Sequence, residues 1–194
     1  FKGLTLVFME PAALDAARQA APAHLQRPES GLSVRHAAAA TRPGYSVLEV
    51  GIAGAFSAAI EVAVAPEGSA VWLPRRVVVG PHEDGAACPA YLPHPRTHLF
   101  RALSAHAGSL LVHLDALPPA ERLPRLIRWL CSLDGLWTER CAMCGRLLAP
   151  VGPSSTLLLP PTVRTPQLQA YHPGCFAASR GSACWEAEWV ALRE

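Results

Sequence analysis

Along this chain the apolar positions first repeat every second residue and later every third or fourth. From Ser33 the period is two. Leu48, Val50 and Ile52 alternate with Val47, Glu49 and Gly51, and Phe56, Ala58, Ile60, Val62 and Val64 alternate with Ser57, Ala59, Glu61 and Ala63. Such alternation predicts half-buried strands. Pro66-Glu67-Gly68 supplies a turn, Val71 to Leu73 and Arg75 to Val79 continue the strand pattern, and Gly80-Pro81 ends it. The connections are too short for helical crossovers, so three or four strands form an antiparallel meander. Upstream, Leu4 to Met9 is a strand candidate, Pro11 to Ala21 a short Ala-rich helix candidate, and residues 24–32 a loop.

Helical spacing takes over after Pro95. Thr97 is a plausible N-cap, and Leu99, Phe100, Leu103, Ala107, Leu110, Leu111 and Leu114 fall on one stripe that Pro118-Pro119 terminates. A second helix is expected to begin between Pro119 and Pro124, to carry Leu123, Leu126, Ile127, Leu130 and Cys131 on its apolar side, and to close at Asp134-Gly135. Arg122, Arg125 and Arg128 are expected on its solvated sides. Cys131 reads as a small buried hydrophobe. The fold class that follows is α+β: an antiparallel β-meander covered by two or more helices, followed by a small C-terminal zinc-binding subdomain. The expected division is a connecting segment over 1–44, sheet plus helices over 45–135, and the zinc-binding part with its tail over 136–194.

The metal expectation comes from Cys141-Ala142-Met143-Cys144-Gly145, answered by His172-Pro173-Gly174-Cys175. Together they read C-x2-C-x27-H-x2-C. Zinc takes thiolate and imidazole in four tetrahedral positions, and two residues between cysteines let the chain bend around one ion. Gly145 can adopt positive φ and bring amides to the sulfur. Thr165-Pro166 looks like a helix start, so Gln167 to Tyr171 is expected to form one or two turns that deliver His172. Pro173-Gly174 then turns the chain to return Cys175. One structural Zn2+ on Cys141, Cys144, His172 and Cys175 is the expectation. Four filled positions leave no room for the water of a catalytic zinc. A redox Cys-x-x-Cys would need a thioredoxin-like βαβ setting, which this pattern lacks.

Totals narrow the picture further. The chain has 194 residues, a net charge of +2 and only 16% charged residues. That is far from the basic excess of a protein held on phosphate backbones. The longest uncharged apolar run, between Glu49 and Glu61, holds 11 residues, where a membrane helix needs about 20. Paired cysteines with metal spacing favour a reducing, intracellular compartment over three disulfides. The first residue is Phe1, so missing N-terminal sequence is expected. Nucleophile elbows and phosphate loops are absent, His82-Glu83-Asp84 reads as a solvated turn, and His94, His98, His106 and His113 read as ordinary surface or packed residues. The chain is not expected to be an enzyme.

Several of these segments together resemble the C-terminal region of the Mediator complex subunit 27 family. They are Leu126-Ile127-Arg128-Trp129-Leu130, Cys141 to Leu148, Leu159-Pro160-Pro161-Thr162-Val163-Arg164, and Leu168-Gln169-Ala170-Tyr171-His172 with Cys175. In that family a Trp-containing helix leads into C-x-x-C-G-[KR]-x-L, then Leu-Pro-Pro-Thr, then Leu-x-Ala-[FY]-His-x-x-Cys. Arg76 to Asp84 resembles its final strand and acidic turn, and Leu99 to Leu114 its long helix, so the likeness covers about residues 45–175. The stretch Pro150 to Leu158 has the look of an insertion, and the residues beyond Cys175 form a tail outside the recognised likeness. The family's N-terminal helical part is not evident and is expected ahead of Phe1. The resemblance implies a nuclear, structural subunit in the tail region of the Mediator coactivator. It would hold other Mediator subunits, with transcription activators as further candidate partners, and neither nucleic acid nor membrane directly.

Two other modules share parts of the spacing. The nick-sensing fingers of poly(ADP-ribose) polymerases make the alternative reading, a DNA-binding zinc finger. Such a finger should line its loop with cations, and here the loop between the ligand pairs offers only Arg146 and Arg164. A LIM-type module resembles Tyr171 to Phe176, but it needs a second zinc site directly afterwards, and only Cys184 follows. In the tail, Trp185 and Trp189 suit either strand or helix. Two exposed tryptophans are costly, so the tail is expected to pack on the domain or on a partner.

Overall fold

The computed structural model describes residues 32–37, 45–64, 71–81, 97–152, 154–181 and 184–191, together with Gln19. The strand and helix expected over Leu4–Met9 and Pro11–Ala21 lie outside them, apart from Gln19, which is helical. The turns expected at Pro66-Glu67-Gly68 and His82-Glu83-Asp84 lie wholly outside.

Period-two patterning becomes an antiparallel sheet of four strands in sequence order: β1 (Leu32–Ala37), β2 (Tyr45–Ile52), β3 (Phe56–Val64) and β4 (Trp72–Gly80). β1 therefore joins the sheet from within the segment 1–44. Leu48 pairs with Ile60 and Val50 with Ala58 across β2 and β3, while Ile60 pairs with Val77 and Ala58 with Val79 across β3 and β4. Directly opposite residues share a face, so these side chains make one apolar surface. Gly54, at φ +74°, closes the β2–β3 hairpin, where Ala55 N–H bonds to the Ile52 carbonyl at 3.0 Å. β4 runs straight through Pro74. Pro74 pairs with Val62 and Arg76 with Glu61, leaving Arg75 as the extra residue of a bulge. Proline is tolerated there because β4 is the last strand in the sheet and the ladder is already interrupted.

Two helices lie against this surface: α1 (His98–Leu114) and α2 (Pro119–Cys131). Leu99, Phe100, Leu103, Ala107, Leu110 and Leu114 of α1 are buried, as the stripe predicts. Thr97 is the N-cap by position, although its side chain makes no capping bond. Ser104 of α1 accepts the Val79 N–H at 2.9 Å. It thereby satisfies an edge group of β4 that would otherwise invite another strand. α2 begins at Pro119 and contains Pro124 rather than stopping before it. The loss of one early hydrogen bond is offset by Leu123, Leu126, Ile127, Trp129 and Leu130, which are 0–7% exposed. Each fully buried large apolar side chain contributes about 1.5–3 kcal/mol to the packing of these helices on the sheet.

The solvated basic face expected on α2 is corrected in part. Arg125 is 7% exposed, within reach of Glu121 at 3.6 Å. Arg122 folds back onto Asp115 at 2.7 Å and donates to the Leu117 and Asp115 carbonyls. Spacing alone could not show this, because a long arginine stem can lie along apolar surface and bring its head to a local acceptor.

The same hydrophobic cluster continues into the C-terminal segment through Cys141, Val163, Tyr171, Phe176, Trp185 and Trp189. That segment holds two short hairpins, β5 (Ala149–Pro150) with β6 (Leu158–Leu159) and β7 (Val163–Arg164) with β8 (Ala170–Tyr171), then α3 (Pro173–Arg180) and α4 (Trp185–Ala191). The tail packs on the domain as a helix. Trp185 stacks on Trp129 at 5.8 Å between ring centroids, and Trp189 is wholly buried. No helix among the described residues is long and apolar enough to cross a membrane.

Candidate metal centre

The first ligand pair sits on a tight loop. Cys141 N–H donates to the Arg146 carbonyl at 3.0 Å, and Gly145 N–H donates to the Cys141 carbonyl at 2.8 Å. Gly145 has φ +68°, a conformation that glycine enters without a Cβ clash. Ala142 N–H reaches the Ala170 carbonyl at 2.8 Å, so this loop is tied directly to β8. The sheet hairpin then brings in the second pair.

Here the expected local structure is corrected. Residues 165–171 do not form a helix. Thr165 N–H donates to the Gln169 carbonyl at 3.1 Å, Leu168 takes φ +62°, and Arg164 pairs with Ala170. Thr165-Pro166 initiates a turn because hairpin pairing satisfies these amides better than a one-turn helix with frayed ends. The helix starts one step later: His172 is the N-cap of α3, Pro173 occupies its first turn, and Phe176 N–H donates to the His172 carbonyl at 2.9 Å. Cys175 is thus presented from the first turn of α3. Pro173 serves as a helix starter, not as part of a turn.

The outcome is the expected convergence. Ligand atoms of Cys141, Cys144, His172 and Cys175 all lie within 4.8 Å of one another. His172 Nδ1 lies 3.5 Å from Cys144 Sγ and 3.9 Å from Cys175 Sγ. Tetrahedral zinc with bonds of about 2.0–2.3 Å separates its nitrogen and sulfur ligands by roughly 3.5 Å. Nδ1 is therefore the donor aimed at the centre. Nε2 is left buried and has no hydrogen-bond partner.

Electrostatics make the same case. Burial raises the Cys141 thiol, but the N–H groups of Cys144, His172 and Met143 outweigh it and bring the pKa down to about 6. Burial, with hydrogen bonding to Cys144 and Cys141 and then their charge, pushes Cys175 up to about 12. The opposed shifts of Cys141 and Cys175 mean that these two thiols do not both ionise readily by themselves. A divalent cation removes the conflict, since it stabilises every thiolate at once. The donor set and its spacing fit a metal ion, and all four donors are protein groups.

The support for this centre extends to residues the spacing did not single out as structural. Arg164 is wholly buried. Its Nε donates to the Ser132 carbonyl at 2.8 Å and its NH1 group to the Pro161 carbonyl at 3.0 Å. NH2 lies 3.1 Å from Glu139 Oε2, close enough for an ion pair but without an aligned hydrogen bond. Trp189 Nε1–H donates to the Arg164 carbonyl at 2.8 Å. Arg164 thus ties the end of α2, the approach to Cys141, the β7 strand and α4 together. This disposes of half the cationic lining available to a DNA-binding loop, because of Arg146 and Arg164 only Arg146 is exposed.

Comparison with known proteins bears on the same region. The family model of Mediator complex subunit 27 matches residues 92–176, which include all four ligands. Subunit 27 of the Mediator of RNA polymerase II transcription from Arabidopsis thaliana is 31% identical over 88 residues, 40% of this chain. The aligned part is 22% of that relative's length. The match is narrower than the likeness read from sequence, for the sheet and the Arg76–Asp84 segment lie ahead of it.

Proposed function

Because residues 92–176 match the Mediator complex subunit 27 family model, we propose that the chain is a structural subunit of the Mediator coactivator, in its tail region. In this reading it works in the nucleus through protein–protein contacts and catalyses nothing. The single observation that carries it is the coincidence of the family match with the Cys141, Cys144, His172 and Cys175 cluster. The bound ion is one structural Zn2+, which the soft donor set favours.

The surface supports a role in contacts. Trp137, Met143, Leu148, Leu158 and Leu168, all on the metal-bearing segment, are 43–52% exposed. Large apolar side chains left in water are candidates for contact with a partner. Other Mediator subunits are the partners proposed, with transcription activators next.

The test is affinity purification of the tagged chain from nuclear extract, followed by mass spectrometry. Other Mediator subunits should co-purify in stoichiometric amounts, and Cys144→Ala should reduce them. Their absence from the wild-type eluate would refute the assignment. Tight, steeply salt-dependent binding to nicked duplex DNA would replace it with the DNA-binding reading.

A further inference from the structure

The metal-bearing segment is one-sided in charge. From Arg140 to Trp185 the sequence holds no Asp or Glu. Arg140 and Arg146 are both exposed, and neither forms an ion pair among the described residues. The fold brings them together where the first ligand loop closes. Cys141 N–H donates to the Arg146 carbonyl at 3.0 Å, and the NH1 group of Arg140 donates to the Gly145 carbonyl at 3.3 Å. Met143, within the same loop, is 52% exposed.

From Arg146 the chain runs directly into an apolar hairpin. Pro150 of β5 lies opposite Leu158 of β6, and Ala149 opposite Leu159. Opposite residues share a face, and successive residues of a strand point to different faces. One face therefore carries Ala149 and Leu159, and Leu159 packs against the core. The other carries Pro150 and Leu158 and looks outward. Leu158 is 50% exposed, and Leu148, two residues before Pro150, is 43% exposed. Exposed apolar side chains call for an apolar partner. Two guanidinium groups without an anion beside them call for carboxylates, which arginine meets with paired hydrogen bonds. Arg and Met are also enriched where proteins meet one another. A phosphate backbone would need more cations than these two and would leave the leucines in water.

We propose that Arg140, Met143, Arg146, Leu148 and Leu158 form a docking surface for a segment of another protein in which acidic residues alternate with large apolar ones. The carboxylates meet the two arginines, and the apolar side chains cover the outward face of the β5–β6 hairpin. This deepens the contact role proposed above and rests on it for the existence of a partner.

The experiment is fluorescence anisotropy of the zinc-loaded full chain with a labelled synthetic peptide in which Asp alternates with Leu and Phe. Two comparison peptides carry Asn in place of Asp, or Ser in place of Leu and Phe. The acidic apolar peptide should bind, less tightly as salt rises, and each comparison peptide should bind more weakly. Arg146→Gln should weaken the acidic apolar peptide about threefold, and Leu158→Ser roughly fivefold. Val112→Ser, at a 72% exposed position on α1, should change nothing, and all variants should keep the zinc content of wild type. Equal binding of either comparison peptide overturns the proposal, and this result needs no variant to fold. So does binding that survives both Arg146→Gln and Leu158→Ser. Tighter binding of duplex DNA than of the peptide, or self-association that Leu158→Ser abolishes, would give the surface to nucleic acid or to a second copy of the chain and overturn it too. Failure of the peptide while Mediator subunits still co-purify removes this inference alone, and peptide binding without co-purification removes the coactivator assignment alone.

Discussion

Replacing Arg164 with alanine should do more damage than any change at the metal ligands' own surface. Arg164 is wholly buried, and its guanidinium donates to two backbone carbonyls, of Ser132 and Pro161. Each hydrogen bond from a charged donor is worth about 1.5–3 kcal/mol, so the two together reach roughly 3–6 kcal/mol. That is a large share of the 5–15 kcal/mol total typical of a domain. Arg164→Ala also leaves both carbonyls buried without their partner. Arg164→Lys keeps the charge but can serve about one of the two carbonyls, so it should lose roughly half as much. Glu139→Gln should cost no more than about 1 kcal/mol. The Glu139 side chain is 41% exposed, and its contact with Arg164 lacks an aligned hydrogen bond. Urea unfolding of the zinc-loaded chain, followed by tryptophan fluorescence, gives the order directly. The expected order of midpoints is wild type, then Glu139→Gln, then Arg164→Lys, then Arg164→Ala. If Glu139→Gln were as damaging as Arg164→Ala, the ion pair would dominate and the carbonyl argument would fail. If Arg164→Ala melted like wild type, the whole account of this residue would be wrong.

Three further outcomes are expected. Trp189→Ala should cost about 3–5 kcal/mol in packing but only up to the free energy that docks α4. Hydrogen exchange should therefore accelerate over residues 184–191 before the sheet is affected, while Trp189→Phe should lose mainly the bond to the Arg164 carbonyl. Cys144→Ala or His172→Ala should release the ion and unfold residues 141–175, leaving the sheet amides protected; loss of the sheet together with the metal would contradict a core that stands alone. Burial pushes the Cys131 thiol up to about 12, with Asp134 adding to the rise. It should thus resist iodoacetamide at pH 8 in the folded chain and react once urea is added, whereas labelling of Cys131 under native conditions would count against its placement.

The sequence told most where one residue type answers one requirement. Alternating Val, Ile and Ala positions could serve only a sheet face, and they do. Paired cysteines with a distant His-x-x-Cys could be satisfied by few arrangements other than convergence, and the four donors do converge. Failures came where two local solutions have similar energy. Thr165-Pro166 suits a helix start and a hairpin turn alike, and pairing of Arg164 with Ala170 decided between them. Arg125 and Arg164 looked like surface charges because periodicity registers polarity and not the acceptors folding will bring near. The meeting of His113 with Cys184 left no trace in spacing at all, since 71 residues separate them. For the tail, the requirement to bury tryptophan was legible, while the choice of helix over strand depended on the shape of the surface offered by α1 and α2.

Trp189 is the last buried side chain among the described residues, and it closes over Arg164. During synthesis the chain appears at about 5–20 residues per second, N-terminus first. The sheet and both long helices are complete by residue 131, and the four sulfur and nitrogen donors by residue 175. Yet the surface that α4 covers, including the face of Trp129, stays open until residue 189 has cleared the ribosome. For that interval the newborn chain shows an apolar face that another protein can grasp, and a stop codon shortly before Trp189 would make the interval permanent.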